Sequence, residues 1–96
     1  MANVAIYYQR KEDESIDEAI KCVNMFIEKI QPLHIIKGVF MDNCGERSQL
    51  TDLIDAPLSE IDYIYMETPF NDEFDRQLIS QLSRSDKFEL KYFDEV

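Results

Sequence analysis

The side chains of this 96-residue chain that could perform chemistry are three cations and the carboxylates near them. Arg10 and Lys11 follow a short apolar run after one intervening residue, Gln9, and Arg47 precedes a short amphipathic segment that begins at Ser48. Guanidinium and ammonium groups at such positions are typical of a site that holds a phosphate or another anion. Arg10, Lys11 and Arg47 are therefore the candidate anion site of the chain.

Acidic side chains outnumber these cations where the strands are predicted to end. Ligands of open α/β sheets bind at the carboxyl ends of the strands, so the charge at those ends decides what is attracted. The acids predicted there are Glu12, Asp13, Asp42, Glu46, Glu67, Asp72 and Asp94. Because they repel phosphate, we favour the interpretation that the three cations form a network of surface ion pairs, with an anion site as the alternative.

The charge of the whole chain also disfavours nucleic acid as a direct ligand. Twenty acidic and ten basic side chains give a formal net charge of -10. Binding to a phosphate backbone depends on lysines and arginines that displace counterions, so no direct nucleic-acid binding is expected. A small acidic protein can instead imitate DNA, provided that its carboxylates form one continuous surface with phosphate-like spacing.

The composition predicts a single packed domain over residues 1–96. Hydrophobic residues make up 45% of the chain, which has only 2 glycines and 3 prolines. Cys22 and Cys44 lack the spacing of metal ligands or of a redox pair, so we expect free thiols, no metal and no cofactor. The chain has no basic and apolar leader and no apolar run of membrane-spanning length, so a cytoplasmic location without membrane contact is predicted.

The first strand and the first helix have the clearest signals. The apolar run Val4 to Tyr8 predicts a central strand over Asn3 to Gln9 with both faces covered. Ser15 and Glu18 have the spacing of a capping box that starts a helix, and Pro32 prevents its continuation. The apolar stripe predicted to pack this helix on the sheet comprises Ile16, Ala19, Ile20, Val23, Phe26, Ile27 and Ile30.

The remaining elements repeat the alternation of strand and helix. Predicted strands cover His34 to Met41, Ile61 to Met66 and Phe88 to Phe93, the last at an exposed edge near Lys91. Predicted helices run from Ser48 to Asp55 and from Asn71, Asp72 and Glu73 onward, the latter with a buried stripe of Phe74, Leu78, Ile79 and Leu82. This order predicts an α/β three-layer sandwich whose four-stranded, mainly parallel sheet carries three helices.

Two segments resemble the N-terminal catalytic domain of serine recombinases of the resolvase and invertase family. The strand Val4 to Tyr8 is similar to the first strand of that domain. The loop Asp42 to Arg47 and the helix after it are similar to the loop and helix of the family, and the residues at matching positions are Arg47, Leu50, Leu53 and Ile54. The resemblance covers nearly the whole chain but only the front portion of the family's proteins, and it implies a resolvase-like, flavodoxin- or Rossmann-like fold.

The family's reaction centre is not kept. A gapless alignment places Gln9 on the family's arginine and Lys11 on its nucleophilic serine, whereas a one-residue deletion keeps Arg10 and Lys11 and loses the serine. Ser15 has the position of the residue that opens the next helix in the family. After the third strand the family has two phosphate-binding arginines, but this chain has no arginine between Arg47 and Arg76. No catalytic residue is therefore assigned.

These features predict a catalytically inactive, resolvase-like domain that acts through protein binding. The resemblance implies a partner among recombinases, or a regulator of DNA recombination on a mobile element, and an exposed sheet edge also favours a homo-oligomer. One alternative is an active enzyme of the serine-recombinase or phosphoryl-transfer type with an atypical site. The other is an acidic DNA-mimic inhibitor.

Overall fold

Strands and helices alternate through the computed structural model, which describes residues 1–70 and 72–95. The strands are β1 (Ala2–Gln9), β2 (His34–Asp42), β3 (Tyr63–Met66) and β4 (Glu89–Tyr92). The helices are α1 (Ile16–Ile30), α2 (Ser48–Asp55) and α3 (Glu73–Asp86). Single-turn 3₁₀ helices cover Leu58–Glu60 and Phe93–Glu95. None of the helices in the described part of the chain has the length and apolar character that crossing a bilayer requires.

The sheet is parallel throughout, with the strand order β2-β1-β3-β4. Strand β1 lies inside the sheet because its run Val4 to Tyr8 is apolar on both faces, and all five of these residues are buried. It pairs with β2 along its whole length, with one irregularity between Val4 and Ala5. The predicted class, a four-stranded α/β sandwich with three helices, is confirmed.

Helices cover both faces of the sheet and complete three layers. One face of the sheet packs against α1. Val4 and Ile6 of β1 are buried there together with Phe26 and Ile30 of the helix. The opposite face carries α2 and α3, and its core is the larger of the two. That core includes Ala5, Tyr7, Leu50, Leu53, Ile64, Met66 and Ile79. Because the strands are parallel, all three helix N-termini lie at the carboxyl edge of the sheet, beside the candidate anion site.

Part of the predicted stripe of α1 is wrong. Ala19, Val23, Phe26 and Ile30 are buried as expected, but the side chains of Ile16 and Ile20 are 58% and 43% exposed. These two isoleucines lie beside Met41 near the end of β2, which is the outermost strand on that side of the sheet. The sheet does not extend far enough to cover them.

The predicted stripe of α3 is also wrong at its first position. Phe74 is 63% exposed, whereas the next residue, Asp75, is buried. Asp75 and Ile79 are one helical turn apart and face the sheet, so Phe74 is rotated outward by the geometry of the helix. Asp72 caps α3 by accepting a hydrogen bond from the Phe74 amide at 2.8 Å. The other predicted cap, Asn71, lies outside the described residues.

Strand boundaries shift by one or two residues from the predicted ones. Ile61 ends the first 3₁₀ helix instead of starting β3, and Phe93 starts the second 3₁₀ helix instead of ending β4. Phe93 stacks on Phe26 with ring centres 3.9 Å apart, which holds the end of the chain against α1. Neither 3₁₀ helix has a signal among the sequence patterns described above.

Replacement of Ser15 by alanine should destabilise the fold through α1. The Ser15 hydroxyl accepts the Glu18 amide at 3.1 Å, and the Glu18 carboxylate accepts the Ser15 amide at 3.1 Å. Loss of such a cap costs about 1 kcal/mol of the free energy of unfolding, measurable by urea denaturation. The control is Ser85→Ala, an exposed serine inside α3, which should change stability by less than about 0.5 kcal/mol. Equal effects of the two substitutions would contradict the capping role.

Candidate functional site

The carboxyl edge of the sheet contains a cleft between the ends of β1 and β3. It encloses about 230 Å³ and is lined on one side by Arg10 and Lys11 and on the other by the segment Glu67 to Phe70. Arg47 lines an adjoining cleft of about 270 Å³ together with Asp72 and Asp75. The structure therefore places the three predicted cations along one edge, but around two different clefts.

Asp42 organises this edge. Its side chain is buried at the end of β2 and accepts a hydrogen bond from the Tyr7 hydroxyl at 2.8 Å. It also accepts the backbone amides of Gln49 at 2.9 Å and Leu50 at 3.0 Å, in the first turn of α2. A helix N-terminus normally attracts an anion through these amides and the helix dipole. Here the chain's own carboxylate already occupies that position.

The two tyrosine hydroxyls at the end of β1 donate hydrogen bonds to carboxylates of the protein itself. Burial raises the pKa of Tyr7 well above its ordinary value, and the hydrogen bond to Asp42 raises it further. Burial likewise raises the pKa of Tyr8, whose hydroxyl donates to the Glu14 carboxylate with O–O distances of 2.7 and 2.8 Å. Both side chains are protonated donors at neutral pH, so neither provides an attacking phenolate.

Arg47 is bound to an acid that the sequence analysis did not identify. Its guanidinium forms an ion pair with Asp75, whose side chain is only 7% exposed. The same guanidinium lies 5.8 Å from the centre of the Phe74 ring. Arg47 therefore links the start of α2 to α3. The only sequence signal for Asp75 was its place one helical turn before the buried Ile79.

Lys11 is neutralised across the first cleft. Its ammonium lies 2.9 Å from the carboxylate of Glu67, which follows β3. This hydrogen bond is the main reason that the pKa of Lys11 is raised. Because both side chains are partly exposed, the pair contributes little to stability, but it places a negative group where a phosphate would have to bind.

Arg10 connects the loops that follow β1 and β2. Its side chain donates to the Asn43 side-chain oxygen at 3.0 Å and to the Glu14 carbonyl at 2.6 Å. Its backbone amide also donates to the carbonyl of Asp42 at 2.8 Å. The acceptors of these bonds belong to the protein itself, so Arg10 holds the loops together as part of the fold.

The nucleophilic side chains that line the first cleft form no hydrogen bond to an activating group among the described residues. Its exposed hydroxyl and thiol belong to Thr68 and Cys44, and among the described residues neither accepts or donates a side-chain hydrogen bond. Activation of such groups needs an adjacent base or a neighbouring cation. Ser15 is used as the cap of α1, as predicted. Within residues 1–70 and 72–95, no group of three or more His, Cys, Asp or Glu side chains is placed to hold a metal ion.

Replacement of Asp42 by alanine should destabilise the protein far more than loss of an ordinary surface acid. It removes the cap of α2 and leaves the buried Tyr7 hydroxyl without its acceptor, which together cost about 2 to 4 kcal/mol. Asp52→Ala, on the exposed side of α2, is the matched control with an expected change below about 0.5 kcal/mol. Urea denaturation gives both free energies of unfolding. A small effect at Asp42 would mean that it does not organise this edge.

Comparison with protein-family models, curated proteins and solved structures gives no match to this chain. The resemblance to serine recombinases therefore depends on the strand and loop segments of the sequence. An α/β sandwich is shared by proteins of many functions, so the fold alone does not select one of them. The function must be inferred from the residues at the carboxyl edge.

Proposed function

We propose that this chain is a non-catalytic, resolvase-like domain that acts by binding another protein. The observation that carries the proposal is that the cations at the carboxyl edge are bound to acceptors of the protein itself, which we call internal neutralisation. Arg47 and Lys11 are paired with carboxylates, Arg10 is bound to neutral acceptors, and the start of α2 is capped by Asp42. DNA strand cleavage needs cationic donors that are free to stabilise charge as it develops on the phosphate.

The cost of displacing these partners supports the proposal. A phosphate that drew Arg47 away would leave the Asp75 carboxylate buried without its cation. Removal of one partner from a fully buried ion pair lowers the free energy of unfolding by about 3 to 5 kcal/mol. The loss is smaller here because the Arg47 side chain is 49% exposed. At the start of α2 a phosphate would in addition compete with Asp42, which is buried and accepts hydrogen bonds from Tyr7, Gln49 and Leu50.

The distribution of acids favours a solvated surface over an imitation of DNA. Exposed carboxylates occur on every helix, for example Asp17 on α1, Asp52 on α2 and Glu73 on α3. Others, including Glu60 and Asp62, lie at the amino edge of the sheet before β3. Acids dispersed in this way keep a protein soluble without forming one strip of phosphate-like spacing.

Removal of the internal acids should create phosphate affinity that the natural chain lacks. In the double variant Glu67→Gln/Asp75→Asn, Lys11 and Arg47 lose their carboxylate partners. Inorganic phosphate at low ionic strength should raise the melting temperature of this variant, by linkage of binding to folding, and leave that of the natural chain unchanged. The control Asp17→Asn/Asp52→Asn makes the same change in net charge on exposed positions and should show no phosphate effect.

Two results would contradict internal neutralisation. One is saturable stabilisation of the natural chain by phosphate. The other is an equal phosphate effect in the control and in the Glu67 and Asp75 double variant, since this would mean that net charge alone governs binding.

The protein-binding role is tested with serine recombinases purified from the same source organism. The domain should form a complex with one of them in size-exclusion chromatography, or change its recombination rate on supercoiled DNA. By itself the domain should leave that DNA intact. If no complex forms and the recombination rate does not change, the result counts against a recombinase partner. DNA nicking by the domain that disappears in Arg47→Ala would show instead that the domain is an enzyme.

A further inference from the structure

The net charge of the chain is concentrated at the carboxyl edge of the sheet. This edge comprises the segments 9–18, 42–50, 66–75 and 92–95, each of which runs from the last residue of a strand to the third residue of the next α or 3₁₀ helix. The four segments contain 13 of the 20 acidic side chains and 3 of the 10 basic ones, which gives a formal charge of -10. The other residues contain 7 of each kind and are neutral as a whole.

The needs of the fold explain only part of this acidic excess. Ion pairs with Lys11 and Arg47 account for two of the acids. Helix capping accounts for others, such as Glu18 and Asp72, because the positive end of a helix dipole favours carboxylates. Glu12 is an exposed acid in the loop before the first helix and serves neither purpose. The remaining charge is therefore available to attract a partner.

An exposed aromatic ring lies within the acidic edge. Phe74 is the second residue of α3 and is 63% exposed. The Arg47 guanidinium lies 5.8 Å from the centre of its ring and is itself held by the buried Asp75. Because the guanidinium is already fixed beside the ring, a partner that contacts both groups has less to order on binding. Aromatic side chains and arginines are enriched at protein–protein interfaces.

A cleft beside Phe74 suits a basic side chain. It encloses about 270 Å³ and is lined by Arg47 and by Asp72 and Asp75, which flank Phe74 in the sequence. The Asp75 carboxylate is paired with Arg47, whereas Asp72 is exposed and uses one carboxylate oxygen to accept the Phe74 amide. The second oxygen of Asp72 can accept a hydrogen bond from a lysine or an arginine of another protein.

We propose that the acidic edge around Phe74 is the surface that binds the protein partner, and that the partner presents lysine or arginine side chains around an apolar contact for the Phe74 ring. The inference rests on the proposed function, because it specifies the partner of a domain that acts by binding protein. Charge complementarity selects this partner. A surface of charge -10 attracts a basic protein and repels an acidic one, including a second copy of this chain.

The aromatic contact distinguishes this partner from a protein that is attracted by charge alone. A protein that bound the acids as it binds DNA would depend on carboxylates spaced like phosphates, and the loss of one ring would leave its affinity unchanged. Here the acids attract and orient the partner, while Phe74 supplies the apolar contact. Affinity should therefore depend on the ring, and should fall as salt screens the charges.

The test uses a library of random peptides displayed on phage, with the natural chain as bait. The selected peptides should carry a net positive charge and an apolar residue, and their dissociation constants should rise with salt concentration. Phe74→Ser should weaken their binding at least about tenfold, with an unchanged circular-dichroism spectrum because the ring is exposed. The matched control is Met25→Ser, at a 62% exposed methionine of α1 outside the carboxyl edge, which should bind like the natural chain.

A second pair of variants tests the charge. Glu46→Gln/Glu73→Gln removes two exposed acids of the carboxyl edge and should weaken binding of the selected peptides. Glu28→Gln/Asp52→Asn makes the same change in net charge at exposed positions outside that edge, and should weaken binding less.

Four results would overturn the inference. They are a selection that yields no peptide or only peptides without positive charge, binding that is unaffected by Phe74→Ser, equal weakening by Phe74→Ser and Met25→Ser, and equal weakening by the two charge variants. Failure of the proposed function gives a different pattern. Basic peptides that require Phe74, with no recombinase complex, contradict only the recombinase partner. A recombinase complex that is unaffected by Phe74→Ser contradicts only this inference.

Discussion

The interaction on which the carboxyl edge depends is the set of hydrogen bonds to the buried Asp42 carboxylate. One carboxylate receives the Tyr7 hydroxyl from the central strand and the Gln49 and Leu50 amides from α2. It thereby fixes the end of β2, the side chain of β1 and the start of the next helix relative to one another. A buried carboxylate is tolerated because each of these donors compensates for lost hydration. The same bonds occupy the place where a parallel α/β sheet normally receives a ligand.

The cations near Asp42 follow the same rule, because each is bound to an acceptor of the chain itself. Arg47 joins α2 to α3 through Asp75, Lys11 joins β1 to β3 through Glu67, and Arg10 joins two loops. An enzyme that transfers a phosphoryl group keeps such side chains free for the transition state, whereas this chain uses them to connect its elements. The cations of this edge thus connect elements of the fold, and this is the basis of the proposed function.

The fold was predictable from the sequence where local signals agree with tertiary packing. The apolar run Val4 to Tyr8 indicated a strand inside the sheet, and Ser15 and Pro32 marked the limits of α1. The structure places the three cations at the carboxyl edge, but their partners depend on contacts distant in sequence. Arg47 and Asp75 are 28 positions apart. Periodicity assigns apolar residues to the core, so it placed Phe74 inside and could not recognise Asp75 as the buried residue of that turn.

The central claim is that the chain's own carboxylates occupy the positions that a phosphate would need. The most direct measurement is a nitrogen-15 NMR titration of the natural chain, first with inorganic phosphate and then with a short DNA duplex. The account predicts that the amide signals of Gln49 and Leu50 and the side-chain signal of Arg47 stay unchanged throughout. Saturable shifts of these signals would show that the start of α2 and the Arg47 guanidinium are open to phosphate, and would contradict the account.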